Sequence, residues 1–327
     1  MTILVTGSAG HLGEALMRTL RAQGQPARGI DIAPSAFTDS VGSICDPDFV
    51  DRNMREASVV VHTATLHKPH VVTHTHQEFV QTNIAGTLVL LEAAAAAGVE
   101  SFIFTSTTSA FGSALTPKPG EPAAWVTEEV VPVPKNIYGV SKLAAESLCE
   151  LFFRTRRLPV IVLRTSRFFP EADDDAAIRD GFEVANVQAN ELLYRRVDIA
   201  DAVSAHLAAM DKAKDVGFGR FIVSASTPFA QSDMADLRRN APAVVYAKFP
   251  DSEALFAQRK WRMFPSLDRV YVNELAKARL GWRPRYDFDH MLVCLRANQD
   301  FRSQLSRDVG IKGYHAAKFA EGPYPIA

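Results

Sequence analysis

Three features of the sequence predict an α/β protein: a doubly wound parallel sheet with a smaller C-terminal α/β domain. Short β-branched runs alternate with longer helical patterns through the first half, glycines cluster between the first run and the first helix, and the rhythm breaks after Arg164. Alternation with short connections means βαβ units and therefore parallel strands. Taken in order, residues 3–6 read as a strand and 12–22 as a helix, with Leu12, Ala15, Leu16, Thr19 and Leu20 on one face. Residues 27–31 are the second strand and 41–45 a weaker third. The run 59–63 is continuously apolar, as expected of a strand covered on both faces. Residues 79–97 read as one long helix closed by Gly98. A strand at 101–105, a helix at 138–153 and a strand at 160–164 complete the regular part. Beyond it, 169–175 is an acidic loop, the segment to Asn190 has no clear period, 196–209 reads as a strand end feeding a helix, and 221–224 as a further strand. From Ser226 on, the chain is rich in Pro, Arg and aromatics and promises short helices at best. The expected division is a nucleotide-binding sheet domain over 1–166 plus about 197–225, and a substrate-binding domain over about 167–196 and 226–327.

With 327 residues the chain is long enough for one or two cores, and 47% hydrophobic with 22% charged residues is an ordinary globular balance. A net charge of −1 gives no basic excess for a nucleic-acid partner. The three cysteines, Cys45, Cys149 and Cys294, form no CxxC pair, which argues against a disulfide framework or a thiolate zinc site. No apolar run approaches the roughly 18–20 residues of a membrane span. The first residues read directly as a strand and not as a leader, so the cytoplasm is the expected compartment. His62, His67, His70, His74 and His76 lack a carboxylate at ligand spacing, so no metal is expected.

Gly7, Gly10 and Gly13 lie between the first strand and the first helix. In that place they allow a tight turn, close backbone approach to a pyrophosphate, and tight helix–strand packing. His11 and Leu12 open the helix inside the same turn, whose free N–H groups and dipole favour a diphosphate. Asp31, ending the second strand, can accept from adenosine ribose hydroxyls and repel a 2′-phosphate, which favours NAD over NADP; Arg28 weakens that case slightly. Asp46 is either a contact to the adenine edge or a helix N-cap.

Tyr138 and Lys142 stand at i and i+4 on a helix, facing the same way. A free phenol ionises near pH 10, so a cation held beside Tyr138 is expected to lower that value and make it a usable acid/base at a carbinol carbon. Lys142 can also hold the nicotinamide ribose. The strand 101–105 runs into Ser106, Thr107, Thr108 and Ser109 at the carboxyl end of a parallel strand, where ligands bind in such sheets. Thr107 is chosen to bond the substrate oxygen beside Tyr138, with Ser106 and Thr108 as near alternatives.

These stretches resemble the extended short-chain dehydrogenase/reductase family, also called the NAD-dependent epimerase/dehydratase family. The resemblance runs through residues 6–13, Asp31, 61–64, 82–87, 106–112, 138–142, Arg164, 196–201 and 280–284, most of the chain in the family's order. It implies a Rossmann fold, bound NAD, and catalysis by Thr107, Tyr138 and Lys142. It also implies that Asn83 buttresses the site, that Ala64 lies along the cofactor, and that the helices 79–97 and 138–153 form a homodimer interface.

Two departures bear on the substrate. About 26 residues separate Glu171 from Val197, roughly half the segment with which sugar-nucleotide members of the family grip a nucleoside diphosphate. Phe169-Pro170-Glu171 is similar to the family's uronate dehydrogenases, which oxidise free sugar acids. Ser166, Arg167, Arg195 and Arg196 can bind a carboxylate, and His67 and Thr108 are placed to touch substrate. The resulting expectation is hydride transfer at a carbinol or keto carbon of a sugar or sugar acid. The alternative is a UDP-glucose-type 4-epimerase that keeps its NAD. A dehydratase ranks lower, because Thr108 stands where those enzymes carry an Asp-Glu pair. A non-catalytic NAD-sensing scaffold is disfavoured by the intact Thr107, Tyr138 and Lys142.

Overall fold

Parallel pairing fixes the architecture. Strands β1 (Thr2–Thr6), β2 (Ala27–Asp31), β3 (Ser40–Val41), β4 (Ala57–His62), β5 (Ser101–Thr107), β7 (Val160–Thr165) and β8 (Phe218–Val223) form one seven-stranded sheet in the order β3-β2-β1-β4-β5-β7-β8. Every pairing in it is parallel. Two strands, β6 (Ala124–Val126) and β9 (Arg269–Tyr271), pair separately. The computed structural model describes residues 2–173 and 175–313. Asp174 of the acidic loop and the end of the expected second domain from 314 lie outside them. The strand order reverses between β1 and β4, which opens a crevice at their carboxyl ends.

Alternate residues of each strand feed opposite faces. Ile3, Val5, Val61, Ile103 and Leu163 pack under α1 (His11–Ala22) and α8 (Ile199–Val216). Leu4, Val60, Phe102, Phe104 and Val162 pack under α2 (Pro47–Met54), α4 (Gly86–Ala96) and α5 (Ile137–Arg156). Each such side chain contributes about 1.5–3 kcal/mol when fully buried. A separate core joins α7 (Val184–Glu191), α9 (Met234–Lys248), α10 (Ser252–Gln258) and α12 (Phe288–Arg296) through Val187, Leu237, Val245, Phe256, Phe288 and Leu292, with Ile178 of α6 (Ala176–Gly181) packed against it.

Several expectations change. The helix expected over 79–97 is α3 (His76–Phe79), a π-helical turn (Val80–Ala85) and α4. Taken together, His76–Ala96 is apolar and long enough to cross a bilayer by length and composition, at mean hydropathy 1.3, contrary to the reading above. Here it packs on the sheet, with Leu90, Leu91 and Ala94 fully buried. The weak third strand shrinks to two residues. Helix α7 shows no apolar period because its buried face is polar: Asn186 and Asn190 both donate to the Arg262 carbonyl and accept from Arg262 N and Phe264 N. The tail also divides differently. Ala276 and Leu280 of α11 (Glu274–Leu280), Trp282, and Val309 of α13 (Gln304–Val309) join the sheet's core. Asp201 on α8 anchors this return by accepting from Arg285 N and Tyr286 N.

Candidate active site

A cleft of about 520 Å³ opens over the carboxyl ends of β1, β4, β5 and β7. Gly7 sits at φ +73°, and a Cβ there would meet Ala64 N at 2.6 Å; on Gly13 it would meet the Gly7 carbonyl oxygen at 1.9 Å. Side chains are thus barred from the turn, and α1 starts at Gly10 without a side-chain cap, leaving N–H donors for an anion. Gly7, Gly10, His11, Leu12, Gly13 and Asp31 all line the cleft. The Asp31 carboxylate is oriented by Ala9 N and Ala33 N, each at 2.9 Å. Arg28 pairs with Glu56 at 2.8 Å and does not line the cleft. This donor set fits a dinucleotide. Asp46 is the N-cap of α2, accepting from Asp48 N and Phe49 N, and does not line the cleft. Ala64 packs against Gly7, while Thr63 and Thr65 form the wall beside it.

Asn83 is buried on the π turn. Its Oδ1 accepts from Leu66 N (2.8 Å) and Thr65 Oγ1 (3.0 Å), and its Nδ2 donates to Leu66 O and to Ser141 Oγ on α5. Below it, Thr87 Oγ1 donates to the Asn83 carbonyl and therefore accepts from His62 Nε2, whose Nδ1 accepts from Thr6 Oγ1 at 2.7 Å. His62 is thus a neutral linker between β1, β4 and the π turn. The π turn thus holds Asn83 behind the cleft lining, where it ties the segment after β4 to α5.

Asn136 caps α5 by accepting from Gly139 N, which sets Tyr138 in the first turn. Thr107 accepts from Ser109 N at 3.1 Å and so has its proton free for its hydrogen bond with the Tyr138 phenol. Ser106 points the other way, to Glu146 at 2.6 Å, and Thr108 donates to the Thr165 carbonyl. Lys142 is fully enclosed, with Nζ 4.1 Å from the centre of the Phe104 ring. Burial pulls its ammonium down to about 7. Burial also pushes the Tyr138 phenol up, only partly offset by Thr107, so the expected lowering by Lys142 does not appear. The i, i+4 spacing puts both side chains on one face, but the Lys142 charge is drawn against an aromatic ring of the core.

At the far end, Ser166 donates to the Val223 carbonyl and lines the cleft with Arg167, Thr108 and His67. The His67 ring lies 5.1 Å from both Tyr138 and Phe169, and burial holds it well below the usual imidazole range. Arg195 meets Asp173 at 2.5 Å and Glu191 at 2.7 Å, and Arg196 meets Glu191 at 2.6 Å. Arg196 is therefore a structural partner of Glu191, outside the cleft lining. Sequence reasoning missed Arg269 and Tyr271, which enter the cleft from β9, and Ile32, Lys312 and Gly313. A three-residue strand more than a hundred residues from Tyr138 carries no local signal for such a place. Among the described residues, no group of three His, Cys, Asp or Glu side chains is placed to hold a metal.

Known proteins resemble this chain in sequence and in fold. The chain is 29% identical to a dTDP-glucose 4,6-dehydratase of Streptomyces antibioticus, covering 88% of this chain and 89% of that one. It is 26% identical to a UDP-glucose 4-epimerase of Azospirillum brasilense, covering 95% and 94%. A further match, 31% identical to the uncharacterized protein y4nG of Sinorhizobium fredii, spans 50% of this chain and only 40% of that one. Among solved structures, a short-chain dehydrogenase/reductase superfamily protein from Agrobacterium tumefaciens with bound NAD superposes at a TM-score of 0.65 over 91% of this chain and 98% of that one, at 23% identity, and so shares the fold. The model of the NAD dependent epimerase/dehydratase family matches residues 3–223, and the chain belongs to that family of NAD-dependent enzymes.

Proposed function

We propose that the enzyme is a net dehydrogenase that oxidises a carbinol carbon of a small sugar acid. The observation carrying this reading is a wall of guanidinium groups. Arg195 and Arg269 border both the cleft and a second, outer hollow of about 550 Å³. Each is tied to a carboxylate, Asp173 at 2.5 Å and Asp268 at 2.8 Å. The compartment beside Tyr138 ends on guanidinium groups whose fork suits a carboxylate, and a substrate acid would compete there with Asp173, Glu191 and Asp268.

On this reading the Gly7–Gly13 turn would bind the diphosphate of NAD and Asp31 its adenosine ribose, while Lys142, enclosed against Phe104 and outside the cleft lining, would have to swing from that ring to reach the nicotinamide ribose. Bound NAD would supply the hydride acceptor for the carbinol carbon. Thr107 would turn its hydroxyl proton from the Tyr138 oxygen to the substrate oxygen and orient it, while Tyr138, as phenolate, would take the hydroxyl proton. Tyr138 can take that proton only as the phenolate, and burial disfavours this form, so its own proton must first pass to solvent through the cleft that it lines.

NADH release during incubation with a panel of uronic acids and neutral aldoses tests this. Turnover of uronic acids is expected. Conversion of UDP-glucose to UDP-galactose without added NAD, and no NADH from the panel, would establish the second reading, a 4-epimerase. What favours that reading is the outer hollow beyond Arg195 and Arg269, which has room for a nucleotide. A homodimer through α4 and α5 is part of the proposal, since Val140 and Leu151 stand exposed on α5; a monomeric sedimentation profile would refute it.

A further inference from the structure

We propose that Glu171 is a positioning residue for the cofactor: its carboxylate ties the start of α1 to Lys312 and Gly313 at the rim of the cleft, and so slows release of a dinucleotide held there. The inference does not depend on which net reaction the enzyme runs. Glu171 is buried, and its Oε1 lies 2.8 Å from His11 Nε2. The same oxygen accepts from Gly313 N at 3.4 Å and shares Lys312 N with His11 Nε2, each at 3.3 Å. Lys312 Nζ reaches on to Glu14 Oε2 at 2.5 Å, one turn into α1. Three segments distant in sequence therefore meet at one carboxylate.

Their places make the contact functional. His11 is the first residue of the helix whose free N–H groups face the diphosphate, and Lys312 and Gly313 line the same cleft. A dinucleotide on that turn would lie beside the clip, and its release would be slower while Lys312 and Gly313 stay tied to Glu171. The third arm carries the substrate end: Arg167 Nη2 donates to the carbonyls of Glu171 and Ala172, each at 2.9 Å. Phe169, two residues before Glu171, packs its ring 6.2 Å from His11 and 5.1 Å from His67. Ordering this segment from the cofactor side therefore also positions Arg167, and by linkage substrate tightens cofactor by the same factor. An apolar side chain at position 11 would leave the buried Glu171 charge without its closest partner.

The test is NADH dissociation from the full-length protein, followed by fluorescence during displacement with excess NAD. Glu171→Leu should speed release by about tenfold or more, since a charge-assisted bond and two backbone bonds are lost. Glu171→Gln, which keeps one acceptor oxygen, should fall between it and the parent. Lys312→Ala should speed release by about threefold. An unchanged release rate in a folded Glu171→Leu protein overturns the proposal, as does a loss of thermal stability with release unaltered, the mark of a purely structural role. If Glu171→Leu does not fold, His11→Phe and Lys312→Ala read the same clip from its other arms: faster release supports it, and unchanged release in both overturns it.

Discussion

Glu146 lies under the active-site helix, and Glu146→Leu should be among the costliest single changes in the protein. Its carboxylate, 1% exposed, accepts from Ser106 Oγ at 2.6 Å, Arg164 Nε at 3.0 Å, Arg164 Nη2 at 2.7 Å and Arg220 Nε at 3.1 Å. Arg164 is 4% exposed and sits 4.9 Å from the Phe111 ring centre, so it has no route to water once Glu146 is gone. Removing one partner of such a pair costs about 3–5 kcal/mol, because an uncompensated charge stays buried. At roughly 2 °C per kcal/mol for a chain of this size, the melting temperature should fall by about 6–10 °C. Adding Arg164→Met should restore at least about half of that loss, since the orphaned charge is removed. Calorimetry of the parent, both single variants and the double variant closes the cycle. A fall of less than about 2 °C in Glu146→Leu, or a double variant less stable than the sum of the singles, would refute the reasoning.

Tyr138→Phe keeps the ring and removes the proton carrier: turnover should drop at least about a hundredfold while NADH affinity changes less than about twofold, and unaltered turnover would remove Tyr138 from the chemistry. Asp31→Ser should weaken NAD binding by about tenfold and narrow the preference over NADP, measured as the ratio of the two KM values. Burial alone would push the Glu191 carboxyl up, yet Arg196, Arg195 and Arg167 hold it at about 2 against an ordinary 4.5. Its contribution is therefore complete above pH 4.5 and lost as pH falls toward 2, worth roughly 3 kcal/mol. Urea unfolding of Glu191→Gln across that range should show a correspondingly weaker acid dependence.

The sequence by itself determined the parallel sheet, because strands covered on both faces must be runs such as Val59-Val60-Val61, and helices between them must carry one apolar stripe. It also determined the glycine turn, since the positive φ at Gly7 and the clash of a Gly13 Cβ with the Gly7 carbonyl oxygen are both set within the turn itself. Tyr138 and Lys142 were legible for a similar reason: a helical period fixes which residues share a face. Tertiary structure alone decided where the charges go. Lys142 lies against Phe104 rather than lowering Tyr138, because the depth of a side chain depends on the layer packed over it. Arg269 and Lys312 reach the cleft from distant segments whose local patterns are those of any short strand or tail. Asp46 is spent on its own helix. Periodicity is a property of neighbours in the chain, whereas burial, and with it every shifted ionisation in this site, belongs to neighbours in space.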